Sequence, residues 1–336
     1  MGESDDADLS IVVPSARDTP SRLLRTLLDQ AGDADELILV KDTFSHDGNW
    51  SVEEASAERE SSEEVDGNRT WTWKTDDRTR IEHTQGGAGV ARNTGWKTAT
   101  NNWILFLDDD VVVTNGFLQA VRRSLSRNQD SLVIGFRIVS PQPKTDWEWM
   151  GRKTLTVDRG PEQRTSNGEP VRIQDTWLYG SGGTFVAKRS ALEQMNVFKR
   201  YLGAGRLFGG TEDTEFLWHA SHHGPISYDG EVSVVHPHPE TREGWADKLV
   251  AYGRSLGFLA GAIETEDSIK HALGYCTFIR ESLDSTEFSK LSDKRQRFAK
   301  QSIDAAVTET IRTLKFSWES VSMTVGCTPT CLGGTE

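Results

Sequence analysis

The chain is poor in several residue classes, and each shortage excludes a class of protein. Its 336 residues include only three cysteines, Cys276, Cys327 and Cys331, without paired metal-binding spacing. A disulfide scaffold and a structural zinc site are therefore not expected. No run of 18 apolar residues occurs, and the first residues are acidic and lack the apolar core of a secretion signal. The sequence thus predicts a cytoplasmic protein without a membrane-spanning helix.

Positive charge is also scarce. Lys and Arg number 38 against 51 acidic residues, which gives a net charge of -13. This balance argues against nucleic-acid binding and against attachment to anionic lipid by overall charge. Such a surface suits high salt, where charges are screened, so a salt-adapted source is one interpretation. Hydrophobic residues make up 36% of the chain and include 11 Trp, enough for one large α/β domain or a domain with an extension.

Apolar runs and helical stripes alternate along the first two thirds of the chain. Strands over 9–13 and 36–40 enclose a helix over 21–30, and this order implies a parallel pair. Further extended segments are expected over 71–83, 103–107, 131–139 and 232–235, and helices over 86–100, 117–125 and 212–219. Residues 141–175 are polar and predict a loop-rich stretch.

Two regions differ from this alternation. Residues 47–70 are rich in Glu and Ser and have little to bury, so we expect a mobile acidic surface insertion. The last third is helical, with an apolar stripe from Trp245 to Leu259 and two later helices over about 267–283 and 291–320. The predicted organisation is a catalytic domain over 1–241, a helical extension over 242–322 and a flexible tail over 323–336.

The most informative local feature is a run of three carboxylates after an apolar strand. Residues 103–107 read WILFL and lead directly into Asp108, Asp109 and Asp110. Side chains alternate along a strand, so Asp108 and Asp110 should point the same way and Asp109 the other. Two carboxylates aimed together repel each other and need a divalent cation or several donors. Ligands of open α/β sheets also bind at the carboxyl ends of the strands.

Two further segments carry groups of matching chemistry. Glu212 and Asp213 follow a Gly-Gly pair and open a predicted helix, and His236 and His238 follow an apolar run. Acids at a helix start also serve as caps, and a lone His is often structural. Carboxylate oxygens combined with an imidazole nevertheless suit Mg²⁺ or Mn²⁺. We expect His236, the first to leave the strand, to be nearer the metal than His238.

Five segments match the motifs of a known family in order. They are 10–14 (SIVVP), 36–42 (ELILVKD), 86–95 (GGAGVARNTG), 105–110 (LFLDDD) and 210–215 (GTEDTE). In these segments the chain resembles a glycosyltransferase of family two, which has the GT-A fold, and the similarity runs from Ser10 to about His238. The family usually has two acids and a Gly-Ser turn after its second strand, where this chain has Lys41 and Asp42 followed by Thr-Phe-Ser. The implied fold is α/β, a Rossmann-like mixed sheet flanked by helices, with the helical extension after it.

The resemblance implies an inverting, metal-dependent transferase that uses a nucleotide-diphosphate sugar. Asp108, Asp110 and His236 would hold Mn²⁺ or Mg²⁺, and Asp213 would take the proton of the acceptor hydroxyl. Binding of the donor and acceptor would involve Pro14, Asp42, Arg92, Asp109, Gly182, Gly183 and Glu212. Among these, Asp42 and Asp109 would hold base and ribose, and Arg92 would face the diphosphate. Uridine is the default base, and Trp147, Trp149 and Trp177 either stack on sugars or pack in the core.

The sequence leaves open two alternative functions and the location of the protein in the cell. The strand with its acids also fits a haloacid-dehalogenase-like phosphatase, and a degenerate transferase would bind glycans or nucleotides without turnover. The resemblance makes a lipid-linked glycan a sensible acceptor, as in protein N-glycosylation or surface polysaccharide assembly. Basic residues over 294–300, with Arg312 and Lys315, would then place the C-terminal helices peripherally on the inner face of the cell membrane.

Overall fold

The structure is a computed structural model. It describes residues 7–16, 21–42, 58–65, 68–74, 79–155, 158–195, 197–204, 206, 208–263, 265–284, 286–289 and 291–325. The strands are β1 Leu9–Ser15, β2 Glu36–Asp42, β3 Glu58–Val65, β4 Asn68–Lys74, β5 Thr79–Thr84, β6 Trp103–Leu107, β7 Val133–Val139, β8 Gln163–Thr165, β9 Thr184–Lys188 and β10 Ile226–Val235. The helices are α1 Ser21–Leu28, α2 Gly87–Thr98, α3 Phe117–Arg127, α4 Asp146–Thr154, α5 Arg189–Gln194, α6 Glu212–His223, α7 Arg242–Ile263, α8 Glu266–Glu281, α9 Thr286–Ser289 and α10 Asp293–Val325.

Among the described residues, ten strands form one mixed sheet in the order β3-β4-β5-β2-β1-β6-β9-β7-β10-β8. β1 runs parallel to β2 and β6, and β7 runs parallel to β10, while β9 lies antiparallel between β6 and β7. The carboxyl ends of β1, β2, β6, β7 and β10 therefore meet at one edge, together with the start of β9. This confirms the expected GT-A arrangement and brings together segments far apart in the chain.

Both faces of this sheet are covered by helices, as the strand alternation requires. On β1, Ile11 and Val13 face one apolar cluster with α1 and α3, whereas Val12 faces another with α2 and α6. β1 also contains Pro14. This residue still pairs with Val40 of β2, but the pairing of β1 with β6 has already ended at Val12. A proline fits where the ladder to one neighbour has ended, because it has no N–H to donate.

Two sequence expectations need correction in this part of the chain. Within the predicted mobile insertion over 47–70, β3 and the start of β4 form an antiparallel hairpin that continues the sheet through β5; residues 43–57 lie outside the described part. Charged residues protect such an edge strand from pairing with other chains, so an acidic composition does not exclude a strand. The loop-rich stretch over 141–175 contains α4, whose start has a capping box formed by Thr145 and Glu148.

The chain divides into two compact units. The first comprises residues 1–142, 156–207 and 212–237 and holds the sheet; the second comprises residues 143–155, 208–211 and 238–336. The helical extension predicted over 242–322 belongs to the second unit, which also takes in two segments from the predicted first domain. The expected tail over 323–336 lies outside the described residues, apart from 323–325 at the end of α10.

The second unit has its own core of packed helices. Most of the predicted stripe on α7 faces inward: Trp245, Leu249, Leu256 and Leu259 are buried, whereas Tyr252 is 37% exposed. Trp147 packs 5.5 Å from Trp245. Gly253 and Gly257 let α7 approach α10 closely, because a Cβ on either would lie within 2.5 Å of an α10 backbone oxygen. None of the helices in the described residues combines the length and apolarity needed to cross a membrane.

Candidate active site

The sheet edge explains how distant segments meet in the first unit. Asp108 directly follows β6, Gly182 and Gly183 precede β9, and His236 directly follows β10. The Asp108 amide donates to the Gly183 carbonyl at 3.2 Å. Val112 and Val235 exchange two backbone hydrogen bonds of 2.7 and 2.9 Å, which fix the acidic turn beside His236.

The three residues predicted to hold a metal converge. Ligand atoms of Asp108, Asp110 and His236 all lie within 4.8 Å of one another. His236 Nε2 is 3.3 Å from Asp110 Oδ1 and 3.9 Å from Asp108 Oδ2. Asp109 points away and accepts a 2.8 Å hydrogen bond from the Ser15 hydroxyl. The side-chain alternation inferred from the sequence is therefore confirmed at this turn.

The orientation of His236 suits a cation between these groups. Its Nδ1 lies 2.7 Å from the Pro237 carbonyl oxygen, which can only accept, so Nδ1 carries the proton in the neutral ring. The lone pair of Nε2 then faces two carboxylates. Two like charges within 4.8 Å of each other repel by at least about 3.5 kcal/mol at an effective dielectric constant of about 20. Arg92 offsets part of this repulsion at Asp108, and a divalent cation between the two carboxylates would offset more of it.

Arg92 lies beneath these acids and is only 2% exposed. Its Nη1 donates to Glu212 Oε1 at 2.6 Å, and its Nη2 donates to Asp108 Oδ1 at 2.8 Å and to the Gly182 carbonyl at 3.1 Å. Burial acts to lower the pKa of Arg92, but Glu212 and Asp108 outweigh it and raise that pKa. Burial raises the pKa of Asp108 and of Glu212, and Arg92 opposes both shifts.

Glu212 and Asp213 open α6 but have different surroundings. Glu212 is buried against Arg92, whereas Asp213 Oδ2 accepts the Gly182 amide at 2.6 Å and Oδ1 accepts the Thr214 amide at 2.8 Å. Thr211, just before the helix, has a φ of 64°, a strained value for a β-branched residue of a kind that clusters at functional sites.

The two glycines before β9 are needed for close packing at this site. A Cβ on Gly182 would lie 3.0 Å from Arg92 Nη2 and 3.4 Å from Asp213 Oδ2. A Cβ on Gly183 would lie 2.8 Å from Ile138 Cδ1 and 3.4 Å from His236 Cδ2. Any side chain at either position would therefore crowd the residues predicted to act.

The expected nucleotide-binding residues lie at the same edge. Asp42, at the end of β2, accepts the amides of Gly86 and Gly87 at 3.1 and 2.7 Å, where α2 begins. This contact stabilises a helix N-terminus, and a role of Asp42 at the base stays a prediction. Pro14 and Ser15 lie at the end of β1, and the partnership of Ser15 with Asp109 was not anticipated, because a lone Ser carries no signal in the sequence.

A second unanticipated residue is Arg159. Its guanidinium donates to the carbonyls of Trp177 and Gly180, in the latter case at 2.9 Å, and so ties down the turn that leads to Gly182. Trp177 is 42% exposed, whereas Trp147 is buried in the core of the second unit. Of the three tryptophans considered for sugar stacking, Trp147 is thus a core residue.

The chain is similar in sequence or in structure to several known proteins. Over 179 residues the chain is 27% identical to the pre-mycofactocin glycosyltransferase of Mycobacterium tuberculosis. The match covers 52% of this chain and 35% of that protein. The chain therefore spans about a third of the length of the curated relatives it matches. The mannosyltransferase PcManGT of Pyrobaculum calidifontis, solved with GDP-Man and Mn²⁺, has a TM-score of 0.50 at 13% identity over 95% of this chain and 86% of its own. Residues 1–349 of S. aureus TarS, solved with UDP-GlcNAc, give a TM-score of 0.49 at 12% identity over 94% and 92%.

The family assignment rests on a longer match. The model of glycosyl transferase family 2 covers residues 10–195, more than half of the chain, and includes β6, the acids that follow it and the glycines before β9. The likeness to the mannosyltransferase agrees in fold. The chain therefore belongs to glycosyl transferase family 2.

Proposed function

We propose that this protein is an inverting, metal-dependent glycosyltransferase that moves a sugar from a nucleotide-diphosphate sugar to a hydroxyl group. The observation that carries the proposal is the convergence of Asp108, Asp110 and His236 at the sheet edge, in the same site as Asp213. Arg92 and Gly182 connect the candidate metal ligands to Asp213.

The donor set fits a hard divalent cation. Two carboxylates and one imidazole are ligands that Mn²⁺ and Mg²⁺ accept, and the solved mannosyltransferase relative contains Mn²⁺. Bound there, the cation would neutralise charge on the departing diphosphate. Asp108 and Asp110 would hold it through oxygens, and His236 through Nε2, the nitrogen left without a proton.

Asp213 is the better candidate for the base of the two acids that open α6. Glu212 is already committed to Arg92 and is only 7% exposed. Asp213 is held by two backbone amides, and these hydrogen bonds fix its orientation. A single base and a single displacement on the opposite face of the sugar invert the anomeric centre.

The finer features of the substrate follow from family likeness. A uridine diphosphate sugar is the default donor, and a guanosine diphosphate sugar is the first alternative because the mannosyltransferase relative holds GDP-Man. We propose a glycan acceptor, lipid-linked as in protein N-glycosylation or surface polysaccharide assembly, and a cytoplasmic enzyme peripheral to the membrane. Membership of the family argues against a haloacid-dehalogenase-like phosphatase, and the intact set of acids argues against a degenerate binding protein.

The test is a screen of purified protein against nucleotide sugars with Mn²⁺ and acceptor glycans, with product configuration read by NMR. Asp213→Asn keeps the shape of the side chain but cannot accept the proton, so turnover should fall by about 10²–10⁴ while donor binding survives. Asp130→Asn, at an exposed position of the same unit, is the control. Full turnover by Asp213→Asn would move the base elsewhere, and a retained anomeric configuration would exclude the single displacement.

A further inference from the structure

Arg92 occupies the junction between the two halves of the candidate site. It is 2% exposed, and 120 residues of sequence separate it from Glu212. We infer that Arg92 is a positioning residue that holds Asp108 and Asp213 in register, and that it is not a contact to the diphosphate. This inference rests on the proposed function and replaces the expectation drawn from the family resemblance.

The link from Arg92 to Asp213 has two branches. One runs through Glu212, which accepts from Nη1 and is the chain neighbour of Asp213. The other runs through Gly182, whose carbonyl accepts from Arg92 and whose amide donates to Asp213 Oδ2. Arg92 thus holds both the side chain of the residue next to Asp213 and the residue whose amide donates to the Asp213 carboxylate.

The link to the metal side is direct. Arg92 Nη2 donates a hydrogen bond of 2.8 Å to Asp108 Oδ1, and the other oxygen of this carboxylate, Oδ2, faces His236 Nε2. A planar guanidinium holds its partners in a fixed fork, which an ammonium cannot reproduce. Without Arg92, the Asp108 carboxylate could rotate, and the buried carboxylate of Glu212 would lose its cation.

A diphosphate contact is disfavoured by the surroundings of the guanidinium. Three oxygens of the protein surround its two terminal nitrogens, and the group lies 5.8 Å from the centre of the Phe198 ring. A phosphate would have to reach a guanidinium that is only 2% exposed and that already pairs with Asp108 and Glu212. Displacing Glu212 would leave a buried carboxylate without its cation, at a cost of several kcal/mol.

The decisive variants are Arg92→Lys, Arg92→Gln and the double variant Arg92→Gln with Glu212→Gln. Arg92→Gln alone leaves Glu212 charged and buried, whereas the double variant removes both charges and is expected to keep the fold. Arg122→Gln is the matched control: Arg122 pairs with buried Asp35 at the opposite edge of the sheet, where Asp35 also accepts the amide of Leu9. All variants are compared with wild type in thermal unfolding, in Mn²⁺ titration without donor, and in kcat and donor KM.

We expect the double variant to bind Mn²⁺ about 10-fold or more weakly, the range found when groups that orient metal ligands are removed. Its kcat should fall by about 10²-fold, because small displacements of reacting groups reduce turnover by this much, while donor KM should change less than about threefold. Arg92→Lys should recover only part of either loss, and Arg122→Gln should lose stability without changing either readout.

Several results would overturn the inference. A folded double variant with unchanged Mn²⁺ affinity and kcat but raised donor KM would identify Arg92 as a donor contact. A loss of stability alone would make it a structural residue. If wild type turns over no donor, the proposed function fails, and the Mn²⁺ titration by itself decides the role of Arg92. If wild type binds no Mn²⁺, the inference fails together with the metal assignment.

Discussion

Replacing Asp110 by Asn should stabilise the protein in the absence of a divalent cation, and this advantage should be lost when the cation is present. Asp110 and Asp108 present oxygens to the same point, and the ligand atoms there lie within 4.8 Å of one another. At that separation or less, their repulsion is at least about 3.5 kcal/mol at an effective dielectric constant of about 20, before Arg92 offsets part of it. Asp110 is chosen for the change because replacing Asp108 would also break its ion pair with Arg92.

Without metal, Asp110→Asn should therefore raise the free energy of unfolding. The two side chains are 14% and 29% exposed, so solvent screens part of the repulsion. We expect a gain of about 1–2 kcal/mol after that discount. For a domain of this size such a gain raises the unfolding midpoint by roughly 2–6 °C.

With Mn²⁺, the wild type should recover the difference. A ligand at 100 times its Kd stabilises the folded state by about 2.7 kcal/mol. If loss of one carboxylate weakens binding about 30-fold, the same Mn²⁺ concentration stabilises the variant by only about 0.9 kcal/mol. The stability difference between the two proteins should thus change by about 1.8 kcal/mol in favour of the wild type.

The assay is thermal unfolding with a chelator and with a Mn²⁺ series, alongside calorimetric titration of Mn²⁺. Asp130→Asn removes the same charge from an exposed position and should match the wild type in both conditions. An equal Mn²⁺-induced shift in Asp110→Asn would show that Asp110 is not a ligand. A variant that is less stable than wild type in chelator would refute the repulsion argument.

Two further predictions concern the sheet itself. Burial, and to a smaller extent the Lys41 ammonium, lowers the pKa of His83 from 6.5 to about 4. Below pH 6.5 the unfolded state therefore binds more protons than the folded state. The free energy of unfolding should fall between pH 6.5 and pH 4 by roughly 2 kcal/mol after discounting for partial exposure. Denaturation midpoints against pH should show a shallower slope for His83→Gln, and parallel curves would contradict this origin. Gly135→Ala places a Cβ 2.0 Å from the Tyr179 carbonyl oxygen and should cost roughly 1–3 kcal/mol in denaturant titration. Gly274→Ala, in the middle of α8 with nothing within 4 Å of the new Cβ, should instead gain up to about 1 kcal/mol, and equal effects would exclude the clash as the cause.

Much of the fold could be predicted from the sequence because strand signals are local. The apolar runs over 9–13, 36–40 and 103–107 each lie within an observed strand, and the three helices predicted in the last third correspond to α7, α8 and α10. The hairpin of β3 and β4 was missed because its composition is that of a solvated segment, and pairing with β5 cannot be read from composition. The short helix α4 was missed although Thr145 and Glu148 carry a capping signal.

The identities of the candidate site residues could also be inferred from short segments of sequence, whereas their hydrogen-bond partners could not. Strand alternation predicted that Asp108 and Asp110 point together and Asp109 away, and the convergence of the first and third with His236 agrees with this prediction, although the three acids lie in the turn that follows β6. Arg92 was expected at the diphosphate, but its donors meet Asp108, Glu212 and Gly182, up to 120 residues away.

What the sequence by itself determined is which residues stand at strand ends, because apolar runs and their polar terminators define those ends. Only the tertiary structure decided which ends adjoin, because strand order depends on packing of the whole sheet and not on any short segment. The insertion of β9 between β6 and β7 places Gly182 beside Asp108, and the pairing of β7 with β10 brings His236 to the same edge. Hydrogen-bond partners follow from that adjacency, and so the network around Arg92 is a property of the fold.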